Sequence, residues 1–332
     1  DHRVIWRTFA QHFYLFRGTP TGIWLTHELE DVFGVTEKLN ADSADRIYNQ
    51  INECLGSPEY APRKLYERFN IEVLCTTDAA TGTLEHHRKI RASAWNARIL
   101  PTFRPDDVLK IDRPSWHANL GKLAELTDTT IHNYQNFLDA LKIRREQFKA
   151  LGATATDHDR LDLQGQLEGG PSTAEIFENA LKDPKGLPPP LRHQFELHVL
   201  HEMANMSSDD GLVMQLHIGS HRNHNQQLIE RFGPDKGADI PHRVDFTRDL
   251  GRFINAIANP NDITIVLFTL DESTYARELA PLAGHYPALK LGPPWWFHDS
   301  LNGMHRYFDR VTETAGIYNL AGFNDDTRAF PS

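Results

Sequence analysis

The sequence VMQLHIGSHRNHN, at residues 213–225, decides the fold of this chain. Its apolar first half ends at Gly219 and predicts a buried strand, while His217, Arg222 and His224 supply polar groups near the end of that strand. A strand that delivers polar side chains at its carboxyl end, just before a helix, is typical of the site in an α/β enzyme. A solvated loop that happens to be rich in histidine is the alternative interpretation.

The composition of the 332 residues is that of a soluble globular protein with one large domain or two ordinary domains. No apolar run approaches the roughly 20 residues that a membrane span needs, so no membrane partner is expected. The net charge of −10 argues against a general nucleic-acid-binding protein, which would have a basic face. Cys54 and Cys75 follow no spacing pattern, and this usage is typical of the reducing cytoplasm.

Strands and helices alternate along most of the chain. Residues 1–70 are predicted to be helical, and a helical insertion is predicted at about 113–151. Strands are predicted at 71–75, 99–103, 153–156, 213–219, 263–268, 288–292 and 317–323. Such an alternation predicts an α/β fold with a parallel sheet.

The seven strand–helix units predict a (β/α)8 barrel of the TIM type, with strands 2 to 8 in residues 71–332. The helical segment 1–70 is expected to pack on this barrel. We expect the first strand and a closing helix to lie outside the given sequence, which begins Asp-His-Arg without Met. A doubly wound open sheet is the alternative, although no glycine-rich phosphate loop follows any predicted strand.

Several predicted strands end in ionisable or aromatic side chains, which a barrel would gather on one face. These residues are Asp78, Arg104, Asp157, His217, Trp296 and Asp326. Asp326 and His217 are suited to zinc or a similar divalent ion, but a catalytic site usually has three protein ligands. Arg104 and Arg328 are planar donors suited to a carboxylate, and a salt bridge at the barrel rim is the alternative for each.

Two further histidine motifs are interpreted without a metal. Glu85-His86-His87 is predicted to be a solvated helix face, because adjacent helical residues point in different directions. His201-Glu202 begins like a zinc-protease motif, but the second histidine four residues later is absent.

Together these pieces resemble the uronate isomerase family of the amidohydrolase superfamily, over nearly the whole chain. The motifs that carry the resemblance are Cys75-Thr76-Thr77-Asp78, Leu100 to Asp106, Gln215 to Gly219 with Arg222-Asn223, Trp295-Trp296-Phe297 and Asp326 to Phe330. Each motif alone is modest, whereas their order and spacing together are specific.

The resemblance implies reversible aldose–ketose isomerisation of a hexuronate, in bacterial uronate catabolism. The expected reactions convert D-glucuronate to D-fructuronate and D-galacturonate to D-tagaturonate through an enediolate. It also implies a divalent metal, for which zinc is expected, bound by Asp326 and His217 together with upstream ligands. We expect a cytoplasmic homo-oligomer whose partner is the small-molecule hexuronate.

The site residues follow from the same resemblance and from the chemistry of proton transfer. Asp326 is the predicted base, and Arg328 the predicted partner of the developing oxyanion. His217 is expected to relay a proton or to donate a hydrogen bond. Substrate contacts are predicted for Arg104, His27, Trp296, Arg222 and Asp78.

One motif that the resemblance implies is missing. A His-x-His pair at the end of the first strand should join the strand-eight aspartate at the metal, but no such pair precedes residue 71. We expect that pair upstream of Asp1 and a closing segment after Ser332.

Two rival functions remain. A metal-dependent hydrolase would carry a histidine after strand six, where the sequence has Thr269, Leu270 and Asp271. A non-catalytic sugar-acid-binding protein would keep Arg104 and Trp296 but would not need Asp326.

Overall fold

Six parallel strands form the main sheet of this computed structural model, which describes residues 1–165, 171–237, 239–295 and 297–322. The strands are β1 (Leu74–Ala79), β2 (Ile99–Arg104), β3 (Ala155–Arg160), β4 (Val213–Ile218), β7 (Ile265–Phe268) and β8 (Leu289–Leu291). They pair in the order β1-β2-β3-β4-β7-β8. Pairing in chain order is typical of a (β/α)8 barrel, whereas the order reverses in a doubly wound sheet.

The chain divides into two compact units, and the described part of the first comprises Asp1–Glu72, Trp295 and residues 297–307. Its helices are α1 (His2–His12), α2 (Pro20–His27), α3 (Ala44–Leu55) and α4 (Pro62–Arg68). Pro62 stands at the start of α4, where its missing N–H costs no hydrogen bond. The apolar core of this unit includes Leu29, Phe33 and Ile47.

The second unit comprises Val73–Pro294 and Phe308–Gly322 and contains the sheet. Helices that follow its strands are α5 (Glu85–Arg91), α6 (Asp106–Leu109), α7 (Trp116–Thr127), α8 (Tyr134–Ala150), α9 (Thr173–Lys182), α10 (Pro189–Asp210), α11 (Gln226–Phe232), α12 (Phe246–Ala256), α13 (Glu272–Thr274) and α14 (Ala280–His285). The predicted insertion at 113–151 corresponds to α7 and α8. A last helix, α15, runs over Leu301–Ala315. Among the described helices, none is both long and apolar enough to cross a membrane.

The opening stretch forms β4 over Val213–Ile218, as predicted, but it does not continue as a simple loop. Ser220–His221 is a short strand, β5, paired antiparallel with β6 (Ile240–Pro241). Gly219 connects β4 and β5 with a φ of 85°, and a side chain there would press on the His242 carbonyl at 3.2 Å. The glycine therefore lets the backbone turn tightly between the two sheets.

The strand predicted at 317–323 is only partly present. Ile317–Asn319 forms a 3-10 helix, and Leu320 makes a single parallel bridge to Leu291. The Asn319 side chain donates to the Ala315 carbonyl at 2.7 Å and accepts from Lys290 at 2.6 Å. Such local side-chain bonds compete with a sheet ladder and hold the segment in a turn. Residue 323 lies outside the described residues.

Register decides which face of the sheet each polar residue occupies. Phe103 pairs with Thr156, Asp157 with Gln215, and Asp159 with His217. Because side chains alternate along a strand, the residues that follow Phe103 and Thr156 point away from the helix-packed core. Arg104, Asp157, Asp159 and His217 therefore share one face of the sheet.

Candidate active site

A chain of three charged or titratable side chains crosses three strands at their carboxyl ends. Nη1 of Arg104 on β2 donates to Oδ2 of Asp157 on β3 at 2.9 Å. The other carboxylate oxygen of Asp157, Oδ1, lies 2.7 Å from Nδ1 of His217 on β4. Asp157 thus binds the arginine with one oxygen and the imidazole with the other, and it fixes both relative to the sheet.

A second group of charges surrounds this chain. Nε of Arg104 donates to Asp106 at 2.7 Å, and its Nη2 lies 4.0 Å from Asp159. Nε of Arg222 lies 3.4 Å from the same Asp159 oxygen, and Nη1 of Arg222 donates to Asp239 at 2.9 Å. Asp159 therefore stands between two guanidinium groups, which brings Arg104 and Arg222 to one place as a substrate anion would require.

The charged groups of this cluster shift one another's pKa values. Burial by itself would raise the pKa of Asp157, but the hydrogen bond from His217 and the charges of His217 and Arg104 outweigh burial and lower it. Burial likewise opposes the charged form of Arg104, yet Asp106 and Asp157 more than compensate, so its pKa is raised. Asp157 is therefore an anion and Arg104 a cation at neutral pH.

The His217 ring is also packed on its flat face. Phe268, the residue of β7 that pairs with His217 in register, stacks on it with ring centroids 4.7 Å apart and an interplanar angle of 4°. The imidazole is thus constrained at its edge by Asp157 and on its face by an aromatic ring.

Asp78 lies on the opposite face of the sheet from this cluster. It pairs with Phe103, whose side chain is buried in the helix-packed core, and its carboxylate accepts from Thr76 at 2.6 Å and lies 3.6 Å from His87. The reason is that Asp78 lies within β1, not beyond its end, so alternation turns it away. Its position gives no support to the predicted substrate contact.

His87 differs from its predicted environment. It was expected on a solvated helix face, but it is buried, and its Nε2 lies 2.8 Å from Thr76 Oγ1. The prediction was wrong for this residue because α5 turns His87 towards β1, whereas His86 stays exposed.

Four of the predicted site residues belong to the first unit or fall outside the described residues. His27, at the end of α2 in the first unit, is exposed, and its Nδ1 lies 2.7 Å from Asp31. Trp296, Asp326 and Arg328 lie outside the described residues, so their predicted roles stay predictions.

Comparison with known proteins decides the family. A family model described as glucuronate isomerase matches residues 2–332. The chain belongs to the glucuronate isomerase family. This result confirms the resemblance that the strand-end motifs indicated.

Relatives of this glucuronate isomerase family member carry the same description. The uronate isomerase of Nostoc punctiforme is 53% identical over 332 residues, covering 100% of this chain and 70% of that protein. The uronate isomerase of Rhizorhabdus wittichii is 50% identical, with 100% and 71% of the two chains covered.

Solved structures in the family agree in fold. The glucuronate isomerase of Caulobacter crescentus has a TM-score of 0.93 and 46% identity, covering 100% of this chain and 69% of that one. The uronate isomerase of Thermotoga maritima has a TM-score of 0.92 and 30% identity, with 100% and 72% covered. The predicted fold class is thereby confirmed.

Sequence reasoning passed over several carboxylates of this site. Asp157 was noted only as a strand-end residue, and Asp106, Asp159 and Asp239 were given no role. The available signal was the alternating Asp157-His158-Asp159, because residues two apart on a strand share a face. Asp239 had no comparable signal, since the short β5–β6 pairing that brings it to Arg222 is a tertiary feature.

Of the metal ligands expected from the sequence, only His217 falls within the described residues, and the metal stays a prediction. Asp157 bound to His217 is the arrangement usual behind a metal-binding histidine, where a carboxylate orients the ring, so His217 fits that role. Within the described ranges, no three His, Cys, Asp or Glu side chains are grouped closely enough to hold an ion. A complete ligand set therefore requires Asp326 or other groups outside these ranges.

His158 lies between Asp157 and Asp159 on β3, so its buried side chain points to the helix-packed face of the sheet. Burial lowers its pKa to about 3, assisted by the charges of Arg145 and Arg104 and opposed by Asp157. An unfolded histidine has a pKa of about 6.5, so the unfolded chain takes up the proton first. The stabilising contribution of neutral His158 is complete above about pH 6.5 and is lost as pH falls towards 3.

We expect a His158→Gln variant to lose less thermal stability than the parent between pH 7.5 and pH 5. The glutamine can keep a hydrogen bond to Thr156, which lies 3.0 Å from His158 Nε2, but it does not titrate. The unfolding midpoint measured against pH checks this, with His86→Gln as the exposed control. Parallel curves for parent and His158→Gln would contradict the buried neutral ring.

Proposed function

We propose that this protein interconverts D-glucuronate with D-fructuronate and D-galacturonate with D-tagaturonate, by moving a proton between C2 and C1 through an enediolate. The observation that carries the proposal is the meeting of Arg104, Arg222 and His217 at the strand ends of one face. Both guanidinium groups are paired with carboxylates, so an anionic sugar acid would be held by the directed N–H donors of the arginines and not by an excess of positive charge.

Each described residue has a role that its contacts support. Nε and Nη1 of Arg104 bind Asp106 and Asp157, whereas Nη2 is 4.0 Å from Asp159, too far for a hydrogen bond. Nη2 is therefore the atom of Arg104 that would hold a substrate carboxylate or hydroxyl. Arg222 would share the anion from the other side of Asp159.

Proton transfer is assigned to His217 and to two residues outside the described ranges. Asp326 would lift the proton from C2 and return it at C1, as a general base. Arg328 would stabilise the oxyanion that develops on the carbonyl oxygen. Asp157, by accepting from Nδ1 of His217, would fix the tautomer and orientation of the ring and leave Nε2 to act either as the proton relay to the substrate or as a metal ligand. The substrate contacts expected of His27 and Trp296 stay predictions.

A divalent metal, for which zinc is expected, would be held by His217 and Asp326 together with further ligands. When bound, it would orient substrate hydroxyls and polarise the carbonyl. Metal content and the melting temperature with and without a chelator test this expectation independently of turnover. Equal melting temperatures and no bound metal in the purified protein would contradict it.

The reaction is tested by a coupled assay with glucuronate and galacturonate, run beside an assay for hydrolysis of N-acyl amino acids. We expect ketose formation from a hexuronate and no hydrolysis. Hydrolysis without isomerisation would favour a metal-dependent hydrolase, and binding without either reaction would favour a sugar-acid-binding protein.

The free thiols Cys54 and Cys75 support a cytoplasmic location, and the homo-oligomer stays a prediction.

We expect Arg104→Lys to lower kcat/KM at least about tenfold, or ~1.4 kcal/mol, although the charge is kept. A lysine ammonium is a point charge and cannot bind Asp106 and Asp157 while holding the substrate with a third nitrogen. Arg248→Lys, which alters the ion pair between the exposed Arg248 and the buried Asp249, is the matched control and should leave kcat/KM unchanged. Parent-like kinetics for Arg104→Lys would favour a rim salt bridge.

A further inference from the structure

Phe268 is held between the site and the neighbouring strand. One side of its ring stacks on His217, with centroids 4.7 Å apart and the two planes within 4° of parallel. The opposite side lies against Gly292, just after β8, where a built Cβ would overlap three atoms of the Phe268 ring. The order of groups is therefore the Gly292 backbone, the Phe268 ring, the His217 imidazole and the Asp157 carboxylate.

The backbone behind the ring cannot easily move away. Gly292 N donates to the Leu267 carbonyl at 2.9 Å, and its own carbonyl accepts from the buried Tyr275 hydroxyl at 2.6 Å. The first bond fixes Gly292 against β7, the strand that carries Phe268, and the second ties it to Tyr275 in the helical segment that follows α13. Since close-packed interiors transmit displacement instead of absorbing it, any group larger than hydrogen at residue 292 would press the ring towards His217.

These two contacts restrain different motions of the imidazole. The Asp157 bond at Nδ1 sets where one ring atom lies, but this bond does not by itself fix the tilt of the ring plane. A flat ring stacked on its face fixes this tilt, as an aliphatic side chain of similar volume would not. Phe268 is 6% exposed, so its ring is itself packed in place.

We propose that Phe268, supported by Gly292, is a positioning residue for isomerisation. The stacked Phe268 ring holds the His217 imidazole at the angle needed for proton transfer to the substrate. The inference rests on the proposed function. It extends the set of functional residues to β7 and to the residue that follows β8. Gly292 is then glycine because of the ring in front of it, since its φ does not demand one.

Phe268→Met tests the flat ring at nearly constant volume. With the full-length protein and glucuronate, we expect kcat to fall at least about tenfold while KM stays within about twofold, because the imidazole acts in the transition state and the arginines bind the ground state. Phe137→Met, a buried phenylalanine of α8 stacked on Phe177, is the matched control and should keep the parent kcat.

Gly292→Ala tests the support that the Gly292 backbone gives to the Phe268 ring. A second substitution, Phe268→Leu, distinguishes positioning of the His217 ring from simple filling of space. Gly292→Ala should lower both the melting temperature and kcat, while Gly121→Ala, where a side chain inside α7 meets open space, should leave kcat unchanged and should not lower the melting temperature. Adding Phe268→Leu to Gly292→Ala relieves the overlap. We expect the double variant to regain the parent melting temperature but not the parent kcat.

The outcomes separate this inference from the proposed function. An active parent with a Phe268→Met variant of parent-like kcat would overturn the positioning role alone. Recovery of both melting temperature and kcat in the double variant would also overturn it, because Phe268 would then only fill space. A folded parent that isomerises neither hexuronate would overturn the proposed function, and the positioning role with it.

Discussion

An Asp157→Asn variant is expected to fold and to lose at least about 100-fold in kcat/KM, or ~2.7 kcal/mol of transition-state stabilisation. The carboxylate accepts from Arg104 with Oδ2 and from His217 with Oδ1. Asparagine has only one acceptor oxygen, and its amide N–H groups would face a second donor. One of the two partners therefore loses its bond, and the chain from arginine to imidazole is broken.

The measurement is steady-state kinetics on both hexuronates, with the melting temperature of the same preparations. Asp210→Asn is the matched control, because Asp210 pairs with the buried Arg145 at 2.7 Å on the opposite, helix-packed side of the second unit. That control should lower the melting temperature and leave kcat/KM close to the parent value. A folded Asp157→Asn variant with parent-like kcat/KM would remove Asp157 from the site.

Asp78 and Asp157 show what the sequence could and could not predict. Both were recognised as aspartates near strand ends, but the predicted strands stopped too early. The strand predicted at 71–75 is observed at Leu74–Ala79, and that predicted at 153–156 is observed at Ala155–Arg160. Polar residues were taken to end the strands, whereas pairing with neighbouring strands extends the ladder through them.

The face that each aspartate occupies then depends on register. A shift of one residue moves a side chain from one face of a sheet to the other, so uncertain strand bounds cannot decide a face. Asp78 pairs with Phe103 and shares its helix-packed face of the sheet. Asp157 is the residue after Thr156, which pairs with Phe103, so Asp157 points to the opposite face. Strand β4 was predictable because its alternation is strong, and His217 was accordingly placed at the site from sequence alone.

Contacts between strands distant in sequence were beyond prediction. His217 and Phe268 are 51 positions apart, and nothing in either strand indicates that they stack; the pairing of β4 with β7 across the β5–β6 insertion brings them together. Arg222 and Asp239 meet by the same insertion. The residue types at the strand ends could therefore be predicted from the sequence. The residues that each of them contacts could not, because those contacts depend on the register of the whole sheet.

Asp326→Asn is expected to remove isomerase activity, with a fall of at least about 10³-fold in kcat, within the range that general-base catalysis supplies. The substitution keeps the volume of the side chain and removes its charge and its basic oxygen. Arg104 and Arg222 are unchanged, so hexuronate binding should persist. Loss of turnover with retained binding would assign Asp326 to the chemical step.

Exchange of the substrate C2 proton with solvent deuterium measures that step directly. The parent should exchange the proton as it isomerises, because the base shares its proton with solvent between abstraction and return. Asp326→Asn should bind glucuronate without exchange, while Asp325→Asn, the same change one residue earlier, should exchange at the parent rate. Exchange at the parent rate in Asp326→Asn would sink the assignment and would make His217, held by Asp157 and Phe268, the stronger candidate for the base.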